Sequence, residues 1–566
     1  MKFIMVVLLF VITLTQANAT DYLITTGVDG AVDDGNCTLR EALLAANTQS
    51  AVDQCPAGSS NNVIRLMTIS EGYTFDQGEM VVTNPQSLRI VASGSSGIRP
   101  VVNMDGGNRF LFTDEAGVFL DISNINFAFG LDETGDGGGV ILMNVASGVS
   151  NLRLINVGFY NSIAVGAVGG GVYFSGAGNL TMDNVLFQSN RADGGAGLAL
   201  NLIGSLGFSI SSDVEFVNNI SNSGGGALNI NAVNGQAILQ RFNFEENTAS
   251  GGDDVAGIFM HVQDFSSDPS TIILNDNSVK DNQGAGLYID NTGGLITING
   301  LVLKDNFKPN GQGTFQAIVN SATEDGRVRI HNPLIYQSDT QQGAGLVLGV
   351  DDDSSKVSVR HATIVNHSIG VIGSSTAANP ESLELIDSIV YGNLTELLNF
   401  DFDVDSLIGV DPLFTDMTNE DFTLTANSPA VDMATEVFGI PVDVAKNPRV
   451  YNGAPDLGAY ERQGPINVNL TFLGTGLGTV SYEIEGVLVD SCSGDCSFTL
   501  QSSETLRLFS TSESGSVFDT WGQECQSAGS SRLCTIGKNG ADLNISVQFI
   551  DEDEIIFKNS FGGVMP

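Results

Sequence analysis

One stretch decides the fold of this chain: Asn179-Leu-Thr-Met-Asp-Asn-Val-Leu-Phe-Gln-Ser-Asn190, followed after a glycine-rich turn by Gly197-Leu-Ala-Leu-Asn201. Leu180 and Met182 alternate with polar neighbours, so their side chains point to one face of a strand. The inward positions resume at Val185 with the opposite parity, which indicates that the chain bends between the two strands. Three short strands joined by such bends form one rung of a right-handed parallel β-helix.

The same pattern recurs along the chain at intervals of about 25–35 residues, a spacing typical of internal repeats. The apolar position of Phe187 recurs at Phe127, Phe159, Phe216, Phe244, Val279, Ile335, Ile364 and Ile389. An asparagine follows within a few residues at Asn161, Asn190, Asn218, Asn247, Asn282, Asn306, Asn366 and Asn393. We expect these asparagines to stack at one turn and to hydrogen-bond from rung to rung. The sequence therefore predicts an all-β, pectate-lyase-like solenoid over residues 63–404.

Composition excludes some classes of partner. The chain of 566 residues carries 65 acidic and 23 basic side chains, for a formal charge of −42. Binding to nucleic acid or to anionic lipid needs a basic surface, so both are disfavoured. The 67 glycines suit a fold with many tight turns. A chain of this length suits a solenoid, in which each rung buries its face against its neighbours.

The first residues resemble an export signal. Lys2 precedes the apolar run Phe3–Leu14, and Ala17-Asn-Ala19 offers a small-residue cleavage site. We expect a signal peptide over residues 1–19, and no later run approaches the ~18 apolar residues of a membrane-spanning helix. The mature protein is therefore expected to be secreted or held at the outer cell surface, as a monomer without a transmembrane segment.

The cysteines indicate disulfides. The chain contains six, an even number, which in an exported protein favours pairing. The expected pairs are Cys37–Cys55 near the N-terminus and, as the preferred choice among three connectivities, Cys492–Cys496 and Cys525–Cys534.

Residues 20–62 are expected to cap the β-helix. Leu39, Leu43 and Ala46 fall on one face of a helix that would cover the open end of the first rung. The run Cys37-Thr-Leu-Arg-Glu-Ala-Leu43 resembles the Cys-Ser-Leu-Arg-Glu-Ala-Leu (CSLREAL) domain at the front of many bacterial secreted β-helix proteins, with threonine in place of serine. That resemblance implies architecture and export, and no reaction. Arg40 and Glu41 are accordingly expected to be structural.

Residues 405–463 differ from the repeats. They carry Asp411-Pro-Leu-Phe414, Asn427-Ser-Pro-Ala-Val-Asp432 and Asp456-Leu-Gly-Ala-Tyr-Glu461 in that order. This series resembles the closing segment of bacterial surface β-helix proteins of the choice-of-anchor type. The resemblance implies that the segment finishes the β-helix. Asp456, Glu461 and Arg449 are expected to form internal ion pairs and turn contacts.

Residues 464–550 alternate apolar and polar positions, which predicts a small disulfide-bonded β domain. The series Phe518-Asp-Thr-Trp-Gly522, Cys525, Cys534 and Val547-Gln-Phe549 resembles the divergent bacterial repeat module related to internalin B repeats. Trp521 is expected to lie in the core. The acidic and then apolar tail, 551–566, resembles C-terminal tails of proteins secreted by some Gram-negative bacteria.

One patch of the β-helix offers candidate catalytic groups. It joins the run Asp351, Asp352 and Asp353 to Arg360 and His361, one strand later. Arg327, Arg329 and His331 on an adjacent rung are expected to lie nearby. The three aspartates are also the candidate Ca²⁺ ligands, since Ca²⁺ prefers carboxylate oxygens; no other cofactor is indicated. The competing explanation is an exposed turn followed by an ordinary charged strand face.

The residues favour a non-catalytic protein. We expect adhesion or polysaccharide binding, with a polysaccharide or a cell-surface glycan as the partner. The alternative is an extracellular polysaccharide lyase or glycoside hydrolase that acts along the β-helix face. An enzyme should bring carboxylates and a base together across several rungs, and a hydrolase needs a carboxylate pair. A binder should instead spread its contacts along one face.

Overall fold

The computed structural model describes residues 19–30, 33–67, 72–84, 86–93, 98–250, 255–263, 269–306, 315–319, 327–338, 343–351, 353–375, 382–400, 403–435, 441–451 and 453–554. The predicted signal peptide, except its last residue, and most of the predicted tail lie outside these residues. The chain divides into two compact units, Met1–Thr271 and Ile272–Pro566.

The first unit is built almost entirely of strands. In chain order these are β1 (Thr20–Ile24), β2 (Asn61–Met67), β3 (Tyr73–Thr74), β4 (Met80–Val81), β5 (Ser87–Ser93), β6 (Val101–Asn103), β7 (Leu111–Thr113), β8 (Phe119–Ser123), β9 (Asn126–Ala128), β10 (Leu131–Asp132), β11 (Ile141–Val149), β12 (Asn151–Tyr160), β13 (Ile163–Ala164), β14 (Val172–Gln188), β15 (Arg191–Gly194), β16 (Leu198–Val217), β17 (Ile220–Gly225), β18 (Leu228–Val233), β19 (Gln236–Glu245), β20 (Thr248–Ala249) and β21 (Val255–Gln263). One helix, α1 (Leu39–Thr48), follows β1.

Parallel pairing arranges these strands in three ladders, one for each strand of a rung. Ladder 1 runs β1, β2, β5, β8 and then through β12, β14, β16 and β19. Ladder 2 runs β3, β6, β9 and then through the later parts of the same four strands. Ladder 3 comprises β4, β7, β11, the first parts of β14 and β16, β18 and β21. The short strands β10, β13, β15, β17 and β20 form a separate sheet beside them.

The second unit is likewise built of three parallel ladders, which we number in the same order. Its solenoid strands are β22 (Thr271–Asn275), β23 (Ser278–Lys280), β24 (Ala285–Thr292), β25 (Leu295–Asn299), β26 (Val302–Lys304), β27 (Phe315–Val319), β28 (Arg327–His331), β29 (Leu334–Tyr336), β30 (Ala344–Val350), β31 (Lys356–Arg360), β32 (Thr363–Val365), β33 (Ile369–Ser375), β34 (Leu383–Ile386), β35 (Ile389–Tyr391), β36 (Thr395–Leu398), β37 (Asp403–Val404) and β38 (Leu407–Ile408). Ladder 1 here contains β25, β28, β31, β34 and β37, and ladder 2 contains β26, β29, β32, β35 and β38. The predicted parallel β-helix is therefore confirmed.

One left-handed residue makes the bend between ladders 1 and 2 in rung after rung. Its φ lies between 51° and 67° at Asn124, Asn156, Asn184, Asp213, Arg241, Asp276, Gly300, Asn332, His361, Asp387 and Asp405. Asparagine, aspartate and glycine tolerate this conformation best. The single turned residue shifts the inward positions by one, which explains the change of parity seen in the sequence.

Aromatic rings stack along the core of the first unit, at the apolar position that recurs in the sequence. Phe127, Phe159, Phe187, Phe216 and Phe244 are all fully buried. Their successive ring centroids lie 5.7, 5.0, 4.9 and 4.7 Å apart with nearly parallel planes. Such offset stacks add to the free energy that burial of each ring already supplies.

The predicted asparagine stack exists, but three of its members were assigned one residue too early. Asn161, Asn218 and Asn366 are the left-handed residues at the end of ladder 2. The buried column consists of the next residue in each rung, which we call the asparagine column: Ser162, Asn190, Asn219 and Asn247 in the first unit. In the second unit the equivalent buried residues include Asn282, Asn306 and His367, and Asn393 is half-buried at the same position.

The N-terminal helix forms as predicted. The Thr38 side chain accepts a hydrogen bond from the Glu41 backbone N–H at 3.2 Å, and the Thr38 N–H donates to Glu41 Oε2 at 2.9 Å. These two bonds satisfy amide groups that a helix start leaves unpaired. Arg40 forms a buried ion pair with Asp29 at 2.7 Å. Arg40 and Glu41 are therefore both structural, as expected: Arg40 pairs with Asp29, and Glu41 caps the helix.

Residues 405–463 fold back along the outer face of ladder 2 in the second unit. The segment contains β39 (Phe414–Asp416), a 3₁₀ turn (Met417–Asn419) and β40 (Asp421–Leu424). Phe422 packs edge-on against Tyr336 with centroids 4.9 Å apart. The Ala459 N–H donates to Thr363 Oγ1 at 2.8 Å. The segment therefore covers ladder 2 on these rungs.

The C-terminal domain is a pair of four-stranded sheets. Its strands are β41 (Pro465–Leu473), β42 (Gly478–Ile484), β43 (Val487–Cys492), β44 (Cys496–Gln501), β45 (Leu506–Ser512), β46 (Ser516–Gln523), β47 (Leu533–Ile536) and β48 (Leu543–Asp551), with a 3₁₀ turn at Gln526–Ala528. They pair in the orders β44-β41-β48-β46 and β43-β42-β45-β47. Trp521 lies in the core, as expected, at 1% exposure.

The disulfides join the cysteines in the preferred pairs: Cys37–Cys55, Cys492–Cys496 and Cys525–Cys534. Among the described residues, no helix has the length and apolar character needed to cross a bilayer.

Candidate functional site: a basic cleft on ladder 1

A cleft of about 470 Å³ opens on ladder 1 of the second unit, across β25, β28 and β31. We call it the basic cleft. Its lining consists of Thr297, Arg327, Val328, Arg329, His331, Lys356, Ser358 and Arg360.

Strand alternation places these side chains together. In β28, Val328 and Ile330 point into the core and are at most 1% exposed. The residues that alternate with them, Arg327, Arg329 and His331, therefore point outward. The parallel register sets Arg327 beside Lys356, Arg329 beside Ser358, and His331 beside Arg360. Neighbouring strands lie about 4.8 Å apart, which brings charges on successive rungs within range of one bound group.

The cleft carries more positive than negative charge. Lys356 Nζ lies 2.5 Å from a carboxylate oxygen of Glu384, and Arg360 lies 3.6 Å from the other. Arg327 and Arg329 are exposed, and neither forms an ion pair with any carboxylate in the described part of the chain. Within the described part of the chain, four cations thus face one carboxylate.

Arginines beside ladder 1 in the first unit behave differently, because each has an aspartate within ion-pair distance. The pairs are Arg65–Asp21 at 2.9 Å, Arg89–Asp121 at 3.7 Å, Arg153–Asp121 at 3.1 Å and Arg241–Asp213 at 2.6 Å. In a chain of charge −42, two neighbouring arginines that have no such carboxylate among the described residues are unusual.

His331 is the buried residue of the cleft, at 6% exposure. Its Nδ1 atom is buried and has no hydrogen-bond partner among the residues that the structure describes. Burial, and then the charges of Arg360 and Arg329, lower the pKa of His331 to about 4. The imidazole is therefore neutral at pH 7.

Hydrogen bonding fixes one side of the cleft. Arg360 Nε donates to Ser358 Oγ at 3.0 Å, and Ser358 is 4% exposed. The guanidinium of Arg360 is thus held between the serine and Glu384. Its position is set before any ligand arrives, which reduces the entropy lost on binding.

The predicted catalytic patch is only partly assembled. Asp351 and Asp353 are exposed in the turn before β31, and Asp352 lies outside the described residues. Arg360 is at the opposite end of β31, about 13 Å away along the strand from Lys356. His361 is fully buried at the left-handed bend and does not line the cleft. The expected proximity of Arg327, Arg329, His331 and Arg360, by contrast, is confirmed.

The candidate Ca²⁺ site at the three aspartates stays a prediction, because Asp352 is not described. Within the described ranges, no three histidine, cysteine or acidic side chains are grouped so that they could hold a metal ion.

Sequence reasoning missed Thr297, Lys356, Ser358 and Glu384. The signal for two of them was present: Lys-Val-Ser-Val-Arg in β31 repeats the alternation of Arg-Val-Arg-Ile-His in β28. To recognise that β28 and β31 lie side by side, however, one needs the register between rungs, which only the structure provides.

A second polar cluster lies in the segment over ladder 2 and is structural. Arg449 is 1% exposed and donates to the carbonyl oxygens of Asp456 at 2.9 Å and Gly458 at 2.6 Å. The Glu461 carboxylate accepts the backbone N–H groups of Tyr451 and Asp456, both at 2.8 Å. The predicted turn carboxylates are confirmed. Arg449 makes its hydrogen bonds to carbonyl oxygens, and the charges of Glu461, Asp443 and Asp456 act on its guanidinium, so that they raise its pKa against the larger, opposite effect of burial.

No protein-family model matches this chain, and neither does any curated protein sequence. The three resemblances noted from the sequence therefore stay predictions. Among solved structures, the chain is similar to the crystal structure of pectate lyase Pel9A, with 14% identity and a TM-score of 0.34. The match covers 78% of this chain and 96% of that one.

Proposed function

We propose that this protein is an extracellular, non-catalytic binder of acidic polysaccharide, and that the basic cleft holds the glycan. The observation that supports the proposal is the concentration of four of the chain's 23 lysines and arginines in one cleft. Two of them, Arg327 and Arg329, have no ion-pair partner among the described residues.

The chemistry of these side chains suits carboxylate or sulfate groups. Guanidinium binds such oxyanions through two parallel N–H bonds and is more weakly hydrated than an ammonium group. The cations lie on neighbouring rungs and at alternate positions of a strand, so a polymer with repeated charges can meet several at once.

The arrangement favours binding over hydrolysis. A glycoside hydrolase of the common kind needs two carboxylates on either side of the scissile bond. Glu384, the carboxylate that pairs in this cleft, is held by Lys356 at 2.5 Å. An ion pair of this kind leaves the carboxylate occupied by a cation.

Three features support an extracellular location. The disulfides are typical of proteins that fold in an oxidising compartment. The predicted signal peptide and the acidic composition agree with export to the medium or to the cell surface.

The test compares charged and neutral forms of the same polymer. We expect the protein to bind dextran sulfate and polygalacturonate, but not neutral dextran, with affinity that falls as salt rises. The double variant Arg327→Ala/Arg329→Ala should weaken binding at least tenfold. Its matched control, Arg65→Ala/Arg153→Ala, also removes two outward ladder 1 arginines and should bind as the wild type does.

Two results would overturn the proposal. One is equal binding by the two double variants. The other is release of unsaturated uronate or reducing sugar from polygalacturonate, with or without Ca²⁺, because that would make the protein an enzyme.

A further inference from the structure

We infer that the basic cleft takes up one proton, on His331, when it binds its anionic ligand, so that binding strengthens as the medium becomes acidic. This inference rests on the proposed function and adds a regulatory property to the same site.

The geometry places His331 where a ligand anion would contact it. The residue lines the cleft, two positions from Arg329 on the same strand and beside Arg360 on the next. Its buried Nδ1 has no hydrogen-bond partner in the described ranges. A buried nitrogen without a partner costs free energy, so no hydrogen bond to Nδ1 from a described residue stabilises the neutral ring.

The charged groups around His331 are almost all positive. On its own strand these are Arg327 and Arg329, and on the next rung they are Lys356 and Arg360. Glu384 lies one rung further and pairs with Lys356. On the preceding rung, the register sets the neutral Asn299 beside His331. The free cleft therefore opposes a fifth positive charge.

An anion reverses this balance in two ways. Its charge offsets the repulsion from Arg329 and Arg360, and its oxygens accept a hydrogen bond that an imidazolium donates more strongly than an imidazole. Both effects favour the protonated ring in the complex. The proton comes from solvent, and no covalent bond forms or breaks. A neutral sugar provides neither effect.

The experiment measures proton uptake directly. Calorimetric titration of the full-length protein with dextran sulfate, in two buffers of different ionisation enthalpy, gives the number of protons taken up on binding. Sulfate esters do not titrate between pH 5 and 7.5, so the proton must go to the protein. We expect uptake to approach one proton near pH 5.5, and affinity to rise by up to tenfold for each unit of falling pH.

Variants identify the residue. His331→Gln retains a polar side chain that cannot be protonated, and it should bind dextran sulfate without proton uptake. His261→Gln, a half-buried histidine in the first unit, should take up the proton as the wild type does. A polygalacturonate arm at pH 5.5 and 7.5 then distinguishes carboxylate from sulfate as the preferred group.

An NMR titration gives a second readout that does not depend on affinity. The imidazole resonances of His331 should move to a midpoint at least about two pH units higher when dextran sulfate is bound.

The outcomes separate the two proposals. Binding by the wild type with no proton uptake overturns this inference and leaves the proposed function intact. Proton uptake that persists in His331→Gln also overturns it. Absence of binding to every charged polymer at both pH values overturns the proposed function, and this inference with it.

Discussion

The asparagine column should be a main source of stability in the solenoid, and Asn219→Ala tests this. Asn219 Oδ1 accepts hydrogen bonds from the backbone N–H and the Nδ2 of Asn190, at 3.0 and 3.1 Å. Its Nδ2 donates to the carbonyl of Phe187 and to Asn247 Oδ1, both at 2.9 Å. One buried side chain thus connects three rungs.

The magnitude follows from the groups that the substitution leaves without partners. Asn190 Nδ2 still donates to the carbonyl of Phe159, and Asn247 Oδ1 still accepts from the Asn219 backbone N–H. One buried group loses its partner, the Asn190 N–H, because the Phe187 carbonyl keeps the bond from the Val217 N–H that the parallel register provides. The free energy of unfolding should therefore fall by about 1–3 kcal/mol.

Asn218→Gly is the matched control. Asn218 is adjacent and exposed, and its φ of 55° suits glycine. Its side chain makes no hydrogen bond within the described part of the chain, so the control should change stability by less than about 0.5 kcal/mol.

Hydrogen exchange and far-UV circular dichroism should be followed together, because a solenoid does not unfold as one two-state unit. A loss of about 3 kcal/mol raises exchange near Asn190 by about a hundredfold. Trp521 is the chain's one tryptophan and lies in the C-terminal domain, so its fluorescence transition should not move. If Asn219→Ala proves no more destabilising than Asn218→Gly, the asparagine column is not a main source of the solenoid's stability.

Three further predictions concern other parts of the chain. His367 lies in the asparagine column and is fully buried, and both of its ring nitrogens lack a hydrogen-bond partner in the described residues. The substitution His367→Asn should therefore raise the free energy of unfolding by about 1 kcal/mol. A variant that is less stable than the wild type by circular dichroism would contradict this. Burial raises the pKa of Glu461 to about 8 from 4.5. Between these pH values the folded form holds a proton that the unfolded chain releases. The segment over ladder 2 should therefore be most stable below pH 4.5 and should lose stability as the pH rises from 4.5 to 8. Limited proteolysis across this range checks that fall, which Glu461→Gln should flatten. Replacement of Cys37 and Cys55 by serine should cost about 3 kcal/mol of N-terminal stability, and an unchanged melting temperature would count against it.

The sequence predicts the solenoid well because its evidence is periodic. Phe187 and its equivalents recur at rung spacing, and burial of a stacked ring tolerates no other placement. Neighbouring asparagines are harder to assign, because Asn218 and Asn219 differ only in which of them takes the left-handed conformation. That choice depends on the bend, which the sequence locates only to within a residue.

The sequence predicted that four residues of the cleft lie close together, but it predicted neither the cleft itself nor its chemistry. Alternation on β28 identifies Arg327, Arg329 and His331 as one outward set. The sequence pattern favoured the run Asp351–Asp353 as the centre of the site, because its charges are adjacent in sequence. In the structure, adjacency in the turn matters less than register between rungs, which places Lys356 and Arg360 beside β28.

The hydrogen bonds of the asparagine column give the solenoid a direction. Asn219 completes groups that belong to the preceding rung, and Asn247 does the same for the rung of Asn219, since its Nδ2 donates to the carbonyl of Phe216 at 2.9 Å. A rung that emerges first from a ribosome or an export channel therefore stays incomplete until its successor arrives. Each rung would therefore complete its folding only after the next rung has emerged. Truncation from the C-terminal side would leave the backbone N–H of the last bend without its asparagine partner, whereas truncation from the N-terminal side would leave the backbone N–H of every remaining bend bonded.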